Sequence, residues 1–456
     1  MGESSQITNA VKLSLTKSDS LSKSLSAFVD TFLNIQVLII GLASTLLAIF
    51  VAVSRPKILL YLIFALAPTQ WLFINISFFF ISPADILVVA GAVGVIFRLI
   101  VGRPSPLTAV WQHKYLALMV LTYLLGFLLQ SFVSLTLIRL VLGIIPSILA
   151  CELIKTRRDL MNATSSLVAS GVIVSIYGIG LYLSGVRLHP TRFAVFGGPN
   201  FTAMYLMIAA TISFAQFSRT KAPIKLVLPG WLIGLCLATL SRTSILAFIV
   251  AWLGFLGRIT RKTNKFLLLL AAILLLMLVV SQDALLAQII ERNQPALYVN
   301  GVEYNIDVRW PILQVAWDGF RESPILGIGY HRFLEYSTIN LGKYIGSSSG
   351  IGYYTHNTFI EVLVEGGLLA FSFFVMHYLQ YVNGYRLIIG SMIRNRDTIA
   401  IASLAALSVL VLSATFINLL TDYTFWSVSG LSLACINLLK KERRSTLMHS
   451  EMTSGR

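Results

Sequence analysis

Tyr353 to Leu369 reads YYTHNTFIEVLVEGGLL. The stretch closes the longest polar segment of an otherwise apolar chain and runs straight into an apolar run long enough to begin a membrane helix. His356 and Asn357 stand where that helix starts. Glu361 and Glu365 follow at helical spacing, ahead of Gly366 and Gly367. A histidine, an amide and two carboxylates are costly at a membrane boundary, so the stretch marks the edge of a candidate functional site.

Working outward, apolar residues make up 56% of the chain and charged residues 12%, which places it in the membrane class. About 13 apolar segments approach the roughly 20 residues needed to cross a bilayer. They fall near 34–53, 58–77, 86–101, 115–130, 133–154, 164–184, 200–217, 226–240, 243–257, 266–281, 358–381, 399–420 and 424–439. The expected fold class is therefore all-α, a polytopic transmembrane bundle of about 12–13 spans. One large extracytoplasmic loop region is expected between the tenth and eleventh spans. Pro68 is expected to break the second segment. The chain divides into a polar tail (1–29), transmembrane helices (30–281), the loop with short helices (282–357), C-terminal transmembrane helices (358–440) and a cytoplasmic basic tail (441–456). The tail 1–29 is too polar for a cleavable signal, and which side it occupies is left open.

The net charge of +16 is carried largely by short loops such as Arg55/Lys57, Lys155/Arg157/Arg158 and Lys440/Lys441/Arg443/Arg444. That pattern fits the positive-inside rule, with lipid headgroups rather than nucleic acid as the partner. Cys151, Cys236 and Cys435 lie in apolar runs without metal-ligand spacing and read as small buried hydrophobes. Arg187, Arg192, Arg242, Arg292, Arg309, Arg321 and Arg332 fall on the opposite, outer side. Loop charge bias does not account for them, which points to an anionic partner.

Four groups could carry chemistry. His356 titrates near neutrality and suits a general base, or else simply caps the helix start. Asn357 could cap the helix or orient a ligand. Glu361 and Glu365 could hold the imidazole, or could be first-turn charges favoured by the helix dipole. Arg192 precedes Phe-Ala-Val-Phe-Gly-Gly-Pro-Asn200 at a helix start, a plausible anion site. Arg242, flanked by Ser241, Thr243 and Ser244, needs a carboxylate or phosphate partner. Arg309 is a third arginine of interest. The aromatics of 310–354 argue for an ordered lid. His331 is expected to face solvent, His377 to join helices, and Asp422-Tyr423 to be a plain connector. Walker, dinucleotide, HExxH and zinc patterns are absent.

His356-Asn357, nine residues, then Gly367 resembles the hallmark of the O-antigen ligase and polymerase superfamily. Ser323 to Phe333 resembles that family's preceding turn, and Arg192 to Asn200 and Leu240 to Ser244 resemble its two upstream arginine motifs. The resemblance implies an inverting, metal-independent glycosyltransferase of the bacterial inner (plasma) membrane, acting at the extracytoplasmic face without a cofactor. The implied donor is a glycan on undecaprenyl diphosphate, and the implied acceptor a lipid or saccharide hydroxyl. It makes His356 the general base and Arg192 and Arg242 the diphosphate clamps, with Asn200, Arg309, Asn357 and Glu361 as substrate-binding residues. Ligase, polymerase and protein O-oligosaccharyltransferase share this chemistry and stay unseparated. A solute transporter, for inorganic carbon for example, is the alternative of a different class. It would call for internal repeats and mid-membrane ionisable residues, and no clear repeat is present.

Overall fold

A computed structural model describes residues 42–72, 74–76, 79–102, 105–130, 136–186, 188, 193–195, 198–217, 223–241, 246–247, 249, 296–299, 302–305, 309–345, 352–395 and 397–454. The tail 1–29, nearly all of the segments expected at 243–257 and 266–281, and Arg187, Arg192, Arg242 and Arg292 lie outside the described residues.

The main helices are α1 (Leu42–Ser54), α2 (Pro56–Leu66), α3 (Pro83–Ile100), α4 (Ser105–Gln112), α5 (Lys114–Gln130), α6 (Thr136–Leu153), α7 (Arg157–Leu183), α8 (Pro199–Phe217) and α9 (Val227–Ala238). They continue with α10 (Arg309–Glu322), α11 (Phe333–Asn340), α12 (Thr358–Asn395), α13 (Thr398–Ala414) and α14 (Tyr423–Ser454). Two small antiparallel hairpins, β1–β2 (Ile74–Ile76, Phe79–Ile81) and β3–β4 (Ala296–Val299, Val302–Asn305), are the departures from an all-helical chain among the described residues. The second lies within the loop region expected at 282–357.

Five helices among the described residues are long and apolar enough to span a bilayer: α3, α6, α7, α8 and the Thr358–Val382 part of α12. Four apolar helices are shorter, among them α1, α5 and α13. Tilt and flanking residues would have to make up their length. α8 is central, with 78% of its most apolar window buried against 39% for α3 and for α7. Leu128, Leu129, Ile176 and Leu183 are instead exposed, as a lipid-facing surface requires. The three cysteines are free and buried.

Local chemistry sets the helix ends. Ser82 and Asp85 form a capping box at α3, Thr156 and Asp159 form one at α7, and Asp397 caps α13. α2 stops at Leu66, two residues before Pro68, and tightens into a 3-10 turn over Ala67–Trp71. α14 runs without interruption from Tyr423 through the basic residues to Ser454.

The four ion pairs among the described residues sit at one end of the bundle: Lys57–Asp159, Arg98–Glu152, and Arg157 with Asp397 and Glu442. Arg98 and Glu152 are buried and paired twice, at 2.6 and 3.0 Å. This accounts for Glu152 inside an apolar run, because a charge there needs a partner. The opposite end, where α3, α6, α8, α12 and α14 begin, carries the polar clusters described next.

α12 is broken. Gly367 has φ +63° and ψ −170°, and the helix resumes beyond it. The turn 323–329 fills the break. Ile328 and Gly329 amides donate to the Val364 and Glu365 carbonyls at 3.0 and 3.1 Å. Leu368 and Leu369 amides donate to the Pro324 and Ile325 carbonyls at 2.8 and 3.2 Å. Backbone polar groups freed inside an apolar helix must find protein partners, and here the inserted turn supplies them. α10, α11 and the first turns of α12 share a small core of Ile312, Val315, Ala316, Ile328, Phe333, Leu341 and Val364. The loop region is thus ordered over 309–345. Phe333 lies in that core and Tyr330 in the main core of the bundle, whereas Trp310 and Trp317 are exposed.

Candidate active site

The segment 352–357 is pinned on both sides of His356. Ser337 Oγ accepts from the Tyr353 amide at 2.9 Å and donates to its carbonyl at 2.8 Å. Thr355, buried, donates to the Asn357 carbonyl at 3.0 Å and meets Asn418 Oδ1 at 3.1 Å. Asn357 Oδ1 caps α12 by accepting from Phe359 and Ile360 amides at 2.9 and 3.0 Å, and its Nδ2 donates to the Thr415 carbonyl at 3.0 Å. Thr358 Oγ1 donates to the Ile417 carbonyl at 2.6 Å and accepts from the Leu419 amide at 3.0 Å. Asn357 therefore acts as a helix cap, with both ends of its amide engaged.

Between these anchors His356 takes φ +51°, a left-handed conformation uncommon for a side-chain-bearing residue. Its ring reaches solvent, while Thr355 and Thr358 on either side are buried. The surrounding protein desolvates the imidazole and the Arg309 charge disfavours its cation, so its pKa lies below the ordinary histidine value. Arg309 opens α10, and its charge reaches the His356 imidazole. No carboxylate among the described residues hydrogen-bonds the His356 ring.

The two glutamates work elsewhere. Glu365, buried, accepts from the His331 amide at 2.8 Å and the Phe333 amide at 3.1 Å, and so fixes the turn after the break. Glu361 is 7% exposed, and its Oε2 has no hydrogen-bond partner among the described residues. The Tyr330 ring packs at a tilt against that of Tyr123, with centroids 4.8 Å apart. Burial and the nearby glutamates push the Tyr330 and Tyr354 hydroxyls above the ordinary range, which keeps both as donors. His331 is half-buried rather than solvent-facing. It has φ +62°, and its ring lies 6.0 Å from that of Tyr354. His377 is fully buried and packs on Tyr378 and Tyr381 of its own helix and on His113.

Asp422, read from sequence as part of a connector, is a hub. It is buried and accepts from Tyr205 Oη at 2.5 Å, Gln70 Nε2 at 2.8 Å and the Phe425 amide at 3.0 Å. Gln70 Oε1 in turn accepts from the Tyr423 amide at 2.8 Å, and Trp71 Nε1 donates to Tyr205 Oη at 3.0 Å. Tyr423 Oη donates to Asp85. Arg139, in α6, lines one cleft together with Gln70, Trp71, Asp85, Thr421 and Tyr423. Sequence reasoning missed this cluster because its members are single polar residues spread over five elements. The one local signal was Asp85 in its capping box.

Asn200 is half-buried in the first turn of α8, and the next residue, Phe201, packs its ring 5.0 Å from that of Trp71. Arg192 and Arg242 themselves lie outside the described residues. Their described neighbours meet: the Phe193 amide donates to the Ala238 carbonyl at the end of α9 at 3.1 Å. Contacts thus run from Asn200 and Phe201 through Trp71 to the Arg139 cleft. The Arg139 charge, after burial, lowers the His331 imidazole, and His331 touches Tyr354 beside His356.

A family model described as O-antigen ligase matches residues 228–375, from the start of α9 past the break in α12. No curated protein matches the chain. The matched region contains Arg242, Arg309, His356, Glu361 and Gly367. Residues 228–375 are therefore similar to the O-antigen ligase family.

Proposed function

We propose that the protein is a membrane glycosyltransferase that transfers or polymerises a glycan from an undecaprenyl-diphosphate-linked donor onto an acceptor hydroxyl. The reaction takes place at the extracytoplasmic face of the bacterial inner membrane. The observation that carries the proposal is His356: a neutral imidazole on a strained, doubly anchored backbone, beside Arg309, within the matched domain.

In this reading His356 accepts the acceptor O–H proton as the oxygen bonds to the anomeric carbon. The anomeric C–O bond to the diphosphate breaks, and the diphosphate leaves with the electron pair. Attack opposite the leaving group inverts the anomeric centre. Arg192 and Arg242 bind the diphosphate, and Arg309 adds positive charge near the reacting atoms. Fixed guanidiniums in a poorly hydrated site stabilise the departing charge. Asn357 contributes by holding the start of α12, and Asn200 lies at the far end of the contact chain.

Replacing His356 by Ala in the producing cell tests the reading. The expected result is loss of glycan attachment or chain extension at normal membrane levels of the protein. Unchanged surface glycan at normal levels refutes it.

A further inference from the structure

One loop meets the side chains of Thr355, Asn357 and Thr358. Asn357 Nδ2 donates to the Thr415 carbonyl, Thr358 Oγ1 bonds to the Ile417 carbonyl and the Leu419 amide, and Thr355 Oγ1 meets the Asn418 side chain at 3.1 Å. The loop, residues 415–422, joins α13 to α14 and lies beyond the residues 228–375 that match the family model. It is fixed from the bundle side, because Ile417, Leu419 and Leu420 are buried and Trp426 Nε1 donates to the Leu420 carbonyl at 2.7 Å. The contacts of Asn357 and Thr358 hold the helix start. The contact at Thr355 acts ahead of it, beside His356.

Thr355 brackets His356. Its hydroxyl donates to the Asn357 carbonyl at 3.0 Å and accepts from the Asn357 amide at 3.3 Å, so both backbone groups of the residue after His356 are tied to the side chain before it. A left-handed residue that carries a side chain persists only where its surroundings over-determine it. This closed turn does so for His356, with its φ of +51°. A hydroxyl has one proton and two acceptor positions. With the Thr355 proton on the Asn357 carbonyl, none is left for Asn418. A side-chain amide can present either its oxygen or its nitrogen, and the hydrogen bonds decide which. With Oδ1 toward Thr355, Asn418 Nδ2 is buried without a partner. With the amide turned over, nitrogen donates to Thr355 Oγ1, and all three positions of the hydroxyl are used.

We infer that Asn418 and Thr355 are positioning residues for His356: Asn418 donates to the Thr355 hydroxyl, and Thr355 holds the His356 backbone in its left-handed turn. The inference rests on the reading of His356 as the general base. Neither residue is placed at the reacting atoms. A base works only within hydrogen-bond reach of the proton it takes, so a displaced His356 lowers kcat while substrate binding stays as it was.

The test uses full-length protein reconstituted in liposomes, with lipid-linked donor and acceptor extracted from the producing cells as probes. Thr355→Val keeps the shape and removes the hydroxyl, Thr355→Ser restores the hydroxyl, and Asn418→Ala removes the amide. Thr355→Val and Asn418→Ala are each expected to lower kcat about 10–100-fold, with both KM values within about twofold of wild type. Thr355→Ser should lie close to wild type. The double variant Thr355→Val/Asn418→Ala should fall no further than the worse single variant, because the two residues act through one hydrogen bond. Rates are referred to folded protein measured by size-exclusion chromatography, so a loss of stability alone leaves kcat unchanged. Wild-type kcat in both single variants, with His356→Ala inactive, overturns the positioning role and leaves the general-base reading standing. Fully additive losses in the double variant also overturn it. Activity retained by His356→Ala removes the basis of both. Should Thr355→Val fail to fold, Asn418→Ala decides by the same split between kcat and KM.

Discussion

Gly327 lies against the backbone of Glu365. A Cβ built on Gly327, whose φ is +74°, would stand 2.3 Å from the Glu365 carbonyl carbon. One residue beyond the Glu365–Gly366 peptide, Gly367 is in the same position relative to the turn, with a built Cβ 2.3 Å from the Ile325 carbonyl carbon. The glycine that ends the His-Asn motif is thus the point where α12 opens to receive the 323–329 turn. That turn leads directly to His331, and α12 leads back to His356.

Gly327→Ala and Gly367→Ala are each expected to destabilise the protein by about 2–4 kcal/mol, combining left-handed strain and overpacking. Activity should fall with the displaced turn. Gly180→Ala in α7, where a Cβ meets nothing within 4 Å, is the control and should be neutral or slightly stabilising. Thermal unfolding of the detergent-solubilised variants reads the difference.

The pH profile of kcat/KM reports the base of the free enzyme. A base must be neutral to accept a proton, and desolvation together with Arg309 holds the His356 imidazole below its ordinary value of 6.5. Activity should therefore persist through pH 6.5 and fall only in more acid solution. Arg309→Gln removes part of the opposing charge and should move the acid limb to higher pH. A wild-type limb above 6.5 would contradict the assignment.

Asn357→Ala should cost about 1–2 kcal/mol, the usual loss of a helix cap. Asn357→Asp keeps an oxygen for the Phe359 and Ile360 amides but loses the donor to the Thr415 carbonyl. It should be the milder change. The order of the two unfolding temperatures checks the cap, and equal losses would argue that the amide serves something other than the helix.

Tyr205→Phe removes the hydroxyl shared by Asp422 and Trp71. The buried Asp422 loses its shortest donor and Trp71 Nε1 loses its acceptor. The expected cost is about 2–3 kcal/mol. Unfolding of the variant by heat or denaturant measures it, and a change under about 0.5 kcal/mol, typical of surface substitutions, would remove the hub from the account.

Much of the fold was legible along the chain because hydropathy reports it directly. The expected segments at 86–101, 133–154, 164–184 and 200–217 correspond to α3, α6, α7 and α8, and Pro68 marked the end of α2. The role of Asn357 was visible as one of two options, since an amide before a helix start has a local reading. Long-range polar contacts were not legible. Asp422 and Gln70 are 352 residues apart, and neither has a neighbour that betrays the other. The break at Gly367 was hidden because Gly366 and Gly367 interrupt no hydropathy pattern, and their purpose lies in a turn elsewhere. The carboxylates could be read as partners of His356 or as first-turn charges, and helical spacing alone does not decide between the two. It does not show that Glu365 turns to the His331 and Phe333 amides.

The central claim is that His356 takes the acceptor proton. The most direct measurement is steady-state transfer by the reconstituted protein, wild type against His356→Ala and His356→Gln, with donor and acceptor varied. The account predicts a fall in kcat of about 10²–10⁴ for both variants, the range of a lost general base, with KM values near wild type. Wild-type kcat in either variant, or a loss confined to KM, would contradict it.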